Sequence, residues 1–175
     1  MLPPRLSIRP AVAGDISGIA AMLKSYMSEA FAREWEGSTE LLRRDGLGRE
    51  FNILVAESTD GLAGFACWRR VYDVHHCAAG AEVTDLFVQP KFRGRALAPK
   101  LIAAIAAHVE ADGGRFVKGR ASAKLTKLYQ RSAVVAPGSE CYVGNRAFHA
   151  LARLRHATPQ DLVRSLPDAS LNLEQ

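Results

Sequence analysis

Three stretches of this chain combine residue types and spacings that can do chemistry. The first is "KFRGRALA", residues 91–98, in which the cations Lys91, Arg93 and Arg95 are interleaved with the small residues Gly94, Ala96 and Ala98. It follows the alternating apolar run "VTDLFV", residues 83–88, and leads into Leu97, Leu101, Ile102, Ile105 and Val109, which recur at helical spacing. The first turn of a helix leaves backbone N–H groups without intrahelical partners and carries partial positive charge, so an anion is favoured there. Small side chains let a ligand approach the main chain, and a pyrophosphate would suit the stretch. A bland alternative, a basic solvated entry to a surface helix, has to be weighed against the neighbouring residues. Two common phosphate motifs do not fit, because the chain has no Gly-Lys-Ser/Thr loop ending and no GxGxxG early in a βαβ unit.

The second stretch is "AEVTDLFV", residues 81–88, with Glu82 and Asp85. Strict alternation puts these carboxylates on opposite faces of a strand unless a bulge intervenes. Either can accept a proton or hold a cation, and either can instead be a structural ion-pair partner. The third is "DVHHC", residues 73–77. Adjacent His75 and His76 point apart in a strand, so the expectation is a titratable loop and no metal. Trp35 and Trp68 either line a pocket or are buried aromatics. Cys67, Cys77 and Cys141 are odd in number and far apart, matching neither CxxC zinc spacing nor a disulfide framework. They read as reduced thiols, and nothing around them marks a nucleophile.

These residues need elements to position them. Residues 6–9 read as a strand and Asp15 as the N-cap of a helix carrying Ile16, Ile19, Leu23, Met27 and Phe31. After the break at residues 37–39, a short helix with Leu41 and Leu42 stops near Gly46. Residues 51–57 and 62–72 form a hairpin across "STDG". A strand over 81–88 and a helix from Leu97 to the "ADGG" stop at 111–114 follow, then a strand over 115–118. Leu125, Leu128 and Tyr129 suggest a further helix, residues 136–140 a turn, 141–143 a last strand and 147–154 a helix. The order βα, meander, βαβ, αβ reads as mixed α/β around one partly antiparallel sheet.

Residues 86–105, "LFVQPKFRGRALAPKLIAAI", resemble the signature of the GNAT superfamily of acyl-CoA-dependent N-acyltransferases: a strand, Val-x-Pro, then Arg/Gln-x-x-Gly-x-Gly/Ala entering a long helix. Arg93, Ala96 and Ala98 stand at the three named positions, with Ala96 where Gly is usual. "IRPAVAGDISGIAAML", residues 8–23, is similar to the family's opening strand and helix, and the likeness covers residues 6–154. It implies the GNAT fold, an α/β (α+β) arrangement whose central mixed, mostly antiparallel sheet is flanked by helices and splayed between strands 4 and 5. It implies acetyl-CoA as acyl donor and no metal. The edge at Leu86, Phe87 and Val88 would pair with pantetheine, and the amides of Arg93, Gly94, Arg95, Ala96, Leu97 and Ala98 would take the pyrophosphate. Ser122, where many relatives carry Asn, would lie on the coenzyme's other side.

The same likeness implies N-acetyl transfer to a primary amine of a small molecule or protein within a ternary complex. Glu82 or Asp85 would be the base. Tyr129, in "AKLTKLYQRSAV" at residues 123–134, would protonate the departing thiolate; as a bare pattern it also fits a core stripe with Leu125 and Leu128. "TDLFV", residues 84–88, is similar to the "EDLFV" of the polyamine acetyltransferase branch, with Thr84 replacing the first acid of the pair. That replacement argues against a polyamine and leaves Asp85 as a cation binder. Ala96, Ser122 and the absence of Gly-Phe at 132–135 support a second reading, a catalytically weak acyl-CoA-binding or regulatory module. A third is acylation of an RNA-linked amine.

Composition bounds these readings. A chain of 175 residues suits one domain, taken as residues 1–157 with a polar tail over 158–175. The tail holds a short helix near 161–166 and either frays or packs on a second subunit, giving a homodimer. The net charge of +5 favours an anionic ligand, yet it is spread over many segments, so nucleic acid is not implied. With 48% hydrophobic and 23% charged residues the chain is not of disordered type. It shows no signal-like start and no run long enough to span a bilayer, and the expected location is the cytoplasm.

Overall fold

The computed structural model describes residues 6–120, 134–136 and 140–165. Strand β1 (Ser7–Pro10) pairs antiparallel with β2 (Asn52–Ser58), from Ser7 opposite Glu57 to Pro10 opposite Leu54. Helix α1 (Ile16–Phe31) follows a single 3-10 turn at Ala13–Asp15. Asp15 stands at the N-cap position of α1, as its place in the sequence suggested, but its side chain makes no capping bond to that helix. Its carboxylate accepts the Val12 amide at 2.8 Å, closing the turn before the helix, and takes two bonds from the Arg9 guanidinium at 2.7 and 3.0 Å. Arg9 also donates through Nε to Glu57 at 2.9 Å, so one cation ties β1, β2 and the helix entry together.

Helix α1 buries Ile16, Ile19, Met22 and Leu23, the face that its spacing foretold. The stripe does not reach its end: Met27 is half-buried and Phe31 is 54% exposed, because the last turns run out beyond the core. Left-handed Ala32 then stops the helix. Helix α2 (Thr39–Asp45) starts where the Ser38 hydroxyl accepts the Leu41 amide and stops at Gly46. It buries Leu42 and exposes Leu41.

Strands β2 and β3 (Gly61–Asp73) are joined by the turn expected at 58–61. There Ser58 Oγ accepts the Asp60 amide and donates to the Gly61 carbonyl. Strand β4 (Ala78–Val88) begins earlier than its alternation indicated, since "DVHHC" is a tight turn rather than a long loop. Asp73 closes it by accepting the His75 and His76 amides and contacting His76 Nδ1 at 2.8 Å. Helix α3 (Leu97–Ala111) leads to β5 (Phe116–Arg120), and β6 (Val134–Ala136), β7 (Glu140–Gly144), α4 (Asn145–Arg153) and α5 (Pro159–Ser165) complete the described chain. β6 was not foreseen, being three residues without a period to read. The helix expected around Leu125 to Tyr129 lies outside the described residues, and the tail helix is α5.

The strands follow the hydrogen-bonding order β1-β2-β3-β4-β5-β7-β6. β5 pairs antiparallel with β7 and β6 with β7, whereas β4 and β5 are parallel. Parallel neighbours need a crossover, and α3 provides it. The β4–β5 register runs from Gly80 opposite Phe116 to Val83 opposite Gly119, and β4 itself continues through residues 84–88. The result is the mixed, mostly antiparallel α/β sheet expected from the sequence.

The chain divides into two compact units, Met1–Cys67 with Asp85–Leu101 and Trp68–Thr84 with Ile102–Gln175. In the first, Ile16, Ile19, Met22, Leu23, Leu42, Ile53, Val55, Phe65, Cys67 and Phe87 form one cluster. Gly64 permits its tight packing, because an added Cβ would lie 2.6 Å from the Phe87 carbonyl oxygen. In the second, Ile105, Val109, Phe116, Val117, Phe148 and Leu151 are buried.

The passage from β4 into α3 is the least regular part of the first unit. Gln89 anchors its start, donating its amide to Ala63 O and Nε2 to Leu62 O, and Pro90–Phe92 make a 3-10 turn. Gly94 and Ala96 then take φ of 77° and 52°. Glycine does so freely, while an L-residue pays roughly 1–2 kcal/mol in that region. Ala96 therefore stores strain at the start of α3.

Two outcomes follow from this architecture. The hydrogen bond from Arg9 holds the Asp15 carboxyl below the usual carboxylate range despite the opposing effect of burial. That contribution is present above an ordinary Asp pKa of about 3.9 and fades as pH falls through the lower folded value. Asp15→Asn should cost about 1–2 kcal/mol at pH 7, and thermal melts of the two proteins should begin to converge only below about pH 4 and meet once pH has passed the lower folded value. Ala96→Gly should raise Tm by roughly 2–4 °C, since relieved strain outweighs the added unfolded-state entropy; a lowered Tm in the same assay would contradict the left-handed geometry.

Candidate active site

The loop before α3 gathers three cations, and they are not equivalent. Phe92, 3% exposed, plugs the loop into the first unit's interior. Lys91 Nζ lies 4.9 Å and the Arg95 guanidinium carbon 5.9 Å from the centre of its ring. Neither cation has a carboxylate partner among the described residues. Arg93 is fully engaged: Nε donates to Val88 O at 2.9 Å, Nη2 pairs with Glu29 of α1 at 2.7 Å, and the guanidinium sits 5.6 Å from the Phe87 ring centre. This pairing holds the Glu29 carboxyl below, and the Arg93 guanidinium above, their ordinary values.

The backbone fits an anion as well. Nothing lies within 4 Å of where a side chain on Gly94 would stand, so a ligand can reach the main chain there. Turns through left-handed residues bring amides to one side, and Leu97 opens a helix of 15 residues whose dipole adds to them. Leu97 is buried, and Ala96 and Ala98 are half-buried. On the strand before the loop, Leu86 is half-buried while Phe87 and Val88 are buried. Ser122 lies outside the described residues.

The two strand acids have different surroundings. Glu82, in the second unit, accepts Nε and Nη2 of Arg69 at 2.8 and 2.7 Å, so its outer oxygen is taken by a guanidinium. Asp85, in the first unit, is half-buried and has no ion-pair partner among the described residues. By alternation it shares the face of Phe87, whose ring centre is 5.9 Å from that of Tyr26 and 6.3 Å from that of Phe65. Burial first, and then the Asp85 charge, push up both the Tyr26 phenol and the Cys67 thiol. Cys67 is thus a thiol and not a thiolate at neutral pH, which removes its nucleophilicity.

Tyr26 and Glu29 escaped the reading of the sequence. Tyr26 follows Met22 and Leu23 at helical spacing and looks like one more core residue, and Glu29 looks like a solvated position; only the fold brings them to Asp85's neighbourhood and to Arg93. Tyr129 lies outside the described residues. Trp68 is 6% exposed, stacks on His108 at 6.4 Å, and buries an Nε1 that has no hydrogen-bond partner among the described residues, while Trp35 packs half-buried against the first unit's core. Both follow the buried-aromatic alternative. Among the described residues no group of three or more His, Cys, Asp and Glu could hold a metal, and no helix is long and apolar enough to cross a membrane.

Comparison with known proteins points one way. The family model described as acetyltransferase (GNAT) domain matches residues 18–151. The ribosomal-protein-alanine N-acetyltransferase of Brucella melitensis biovar Abortus 2308 superposes with a TM-score of 0.63 at 22% identity, covering 77% of this chain and 96% of that one. An aminoglycoside acetyltransferase from an uncultured soil metagenomic sample, solved with sisomicin, gives 0.58 at 17% identity over 68% and 79% of the two chains. An acetyltransferase of the GNAT family from Staphylococcus aureus MU50 gives 0.60 at 10% identity over 80% and 99%. At these identities the likeness is one of fold. No curated protein matches the chain in sequence. Because the family model spans most of the chain, across the β4–α3 passage and both strand acids, this protein belongs to the GNAT family of acetyltransferases.

Proposed function

We propose that the protein moves the acetyl group of acetyl-CoA to a primary amine by direct transfer within a ternary complex. The observation that carries this reading is the entry to α3, where Lys91 and Arg95 have no carboxylate partner among the described residues and the main chain at Gly94 is open. The pyrophosphate binds the amides from Arg93 to Ala98 with Lys91 and Arg95 as counter-charges. Pantetheine follows the edge at Leu86, Phe87 and Val88, with Ser122 on its other side.

Transfer begins with loss of a proton from the ammonium, since only the neutral amine is a nucleophile. Its nitrogen attacks the thioester carbon, a C–N bond forms, and collapse of the tetrahedral intermediate breaks the C–S bond. We assign the proton acceptor to Asp85. What supports it over Glu82 is that Glu82 is already paired with Arg69, whereas Asp85 lies half-buried near Tyr26 without a cation partner among the described residues. Tyr129 protonates the departing thiolate, an assignment that rests on its place in the sequence. The raised Cys67 thiol favours direct transfer over an acyl-enzyme.

The acceptor is a primary amine on a small molecule or a protein. The names of two structural neighbours span that range, one an aminoglycoside acetyltransferase and one a ribosomal-protein-alanine N-acetyltransferase. Thiol release with spermidine, sisomicin and a peptide with N-terminal alanine, alongside calorimetric titration of acetyl-CoA, tests the whole reading. Tight acetyl-CoA binding without turnover on any amine would favour a regulatory module instead.

Replacing Lys91 and Arg95 together by Ala should weaken acetyl-CoA at least tenfold, about 1.4 kcal/mol, and lessen the salt dependence of its affinity; unchanged calorimetric affinity would refute the phosphate assignment. Asp85→Asn should lower kcat by about 10²–10⁴-fold while Glu82→Gln costs much less. The reverse ranking in steady-state assays would transfer the base role to Glu82. Tyr129→Phe should lower kcat with acetyl-CoA affinity intact.

A further inference from the structure

Arg93 and Glu29 form an ion pair that does more than decorate the surface. An exposed pair is ordinarily worth little, because each long side chain must be ordered to make it. Here the cation is already ordered, since Val88 O holds its Nε at 2.9 Å and its plane rests 5.6 Å from the Phe87 ring centre. Glu29 alone has to be fixed, and its carboxylate lies 2.7 Å from Nη2. The β4–α3 segment therefore touches α1 at two points, one from the loop and one from the end of β4. One is Glu29, and the other is the ring contact from Phe87 to Tyr26, which continues edge-on to Phe31 at 5.6 Å. Glu29 and Phe31 stand exposed on the last turns of α1, beyond its buried stripe, whereas Tyr26 packs half-buried against the core cluster and links them to it.

We infer that Glu29 is a positioning residue that acts through Arg93, tying the coenzyme loop to the C-terminal half of α1 so that loading of the loop is felt at Tyr26, beside Asp85. This rests on the reading that acetyl-CoA pyrophosphate occupies the loop. Arg93 is not the phosphate's counter-charge in this scheme, because Glu29 already neutralises it; Lys91 and Arg95 take that part. Arg93 is already held by Val88 O, phosphate stiffens the loop around it, and through Glu29 that stiffness reaches the end of α1. The acceptor then meets an ordered wall next to the base only after the donor is in place. Coupling of this kind is reciprocal, so ordering of that wall also tightens the hold on coenzyme.

Hydrogen–deuterium exchange on the full chain, with and without saturating acetyl-CoA, reads the coupling without needing to know the acceptor. In the unaltered protein acetyl-CoA should slow exchange of the amides at residues 26–32 by about fivefold or more. In Glu29→Gln and Glu29→Ala that protection should vanish and the calorimetric affinity for acetyl-CoA should fall by the same factor, roughly fivefold, as reciprocity requires. Persistence of the protection in both variants would overturn the inference, as would its absence from the unaltered protein when acetyl-CoA binds. A loss of acetyl-CoA affinity in the variants far greater than the lost protection would also overturn it, making Glu29 part of the coenzyme site. Failure of the unaltered protein to bind acetyl-CoA would instead refute the coenzyme reading on which the inference stands.

Discussion

Burial of Phe87 is the constraint on which the site depends. Its ring is 4% exposed, between Phe65 of β3 and Tyr26 of α1, and it closes the core of the first unit. Successive side chains of a strand face opposite ways, so sending Phe87 inward sends Asp85 to the same face and Leu86 and Val88 to the other. The close approach permitted by Gly64 locks that register, since a residue with a Cβ would strike the Phe87 carbonyl. One hydrophobic contact thereby sets the placement of a carboxylate, of the edge proposed for the coenzyme arm, and of the loop that begins three residues later at Pro90.

Charge in that loop is sorted by partners rather than by sign. Three cations stand within five residues, and a count of charge treats them alike. Arg93 is spent on the Val88 carbonyl and Glu29, which makes it part of the scaffold, while Lys91 and Arg95 both lean on one buried ring with their charge uncompensated among the described residues. A ring face attracts a cation without neutralising it. The arrangement holds positive charge in place and leaves it available, which is what recognition of a dianionic phosphate group requires. The same sorting separates the strand acids, one matched with Arg69 and the other left beside a phenol and a thiol.

Ala96 shows a local rule broken where the chain turns into α3. A left-handed alanine costs stability that a glycine would not, and the strain falls at the N-terminus of α3, whose amides are the proposed phosphate donors. Backbone strain of this kind persists only where the surroundings over-determine it. Here Phe92 on one side and Leu97 on the other are both buried and pin the strained residue between them.

Much was legible in the chain as written. Periodicity in residues 16–23 announced the buried face of α1, turn chemistry at Ser58 and Gly61 announced the hairpin, and the small residues of 91–98 running into the apolar repeat from Leu97 announced the start of α3, because each of those signals is local: a few consecutive residues decide the conformation. What the sequence alone could not give is which partner each charged group finds. Asp15 stands at the cap position but its side chain became the anchor of Arg9; Phe31 fitted the buried stripe yet stands exposed; Glu82 and Asp85 looked interchangeable until Arg69 reached one of them; Glu29, 64 residues from Arg93, had no mark at all. Such pairings depend on which strands become neighbours and how far a helix runs past its core. Those are outcomes of burying many apolar side chains at once, and no short window of residues contains them.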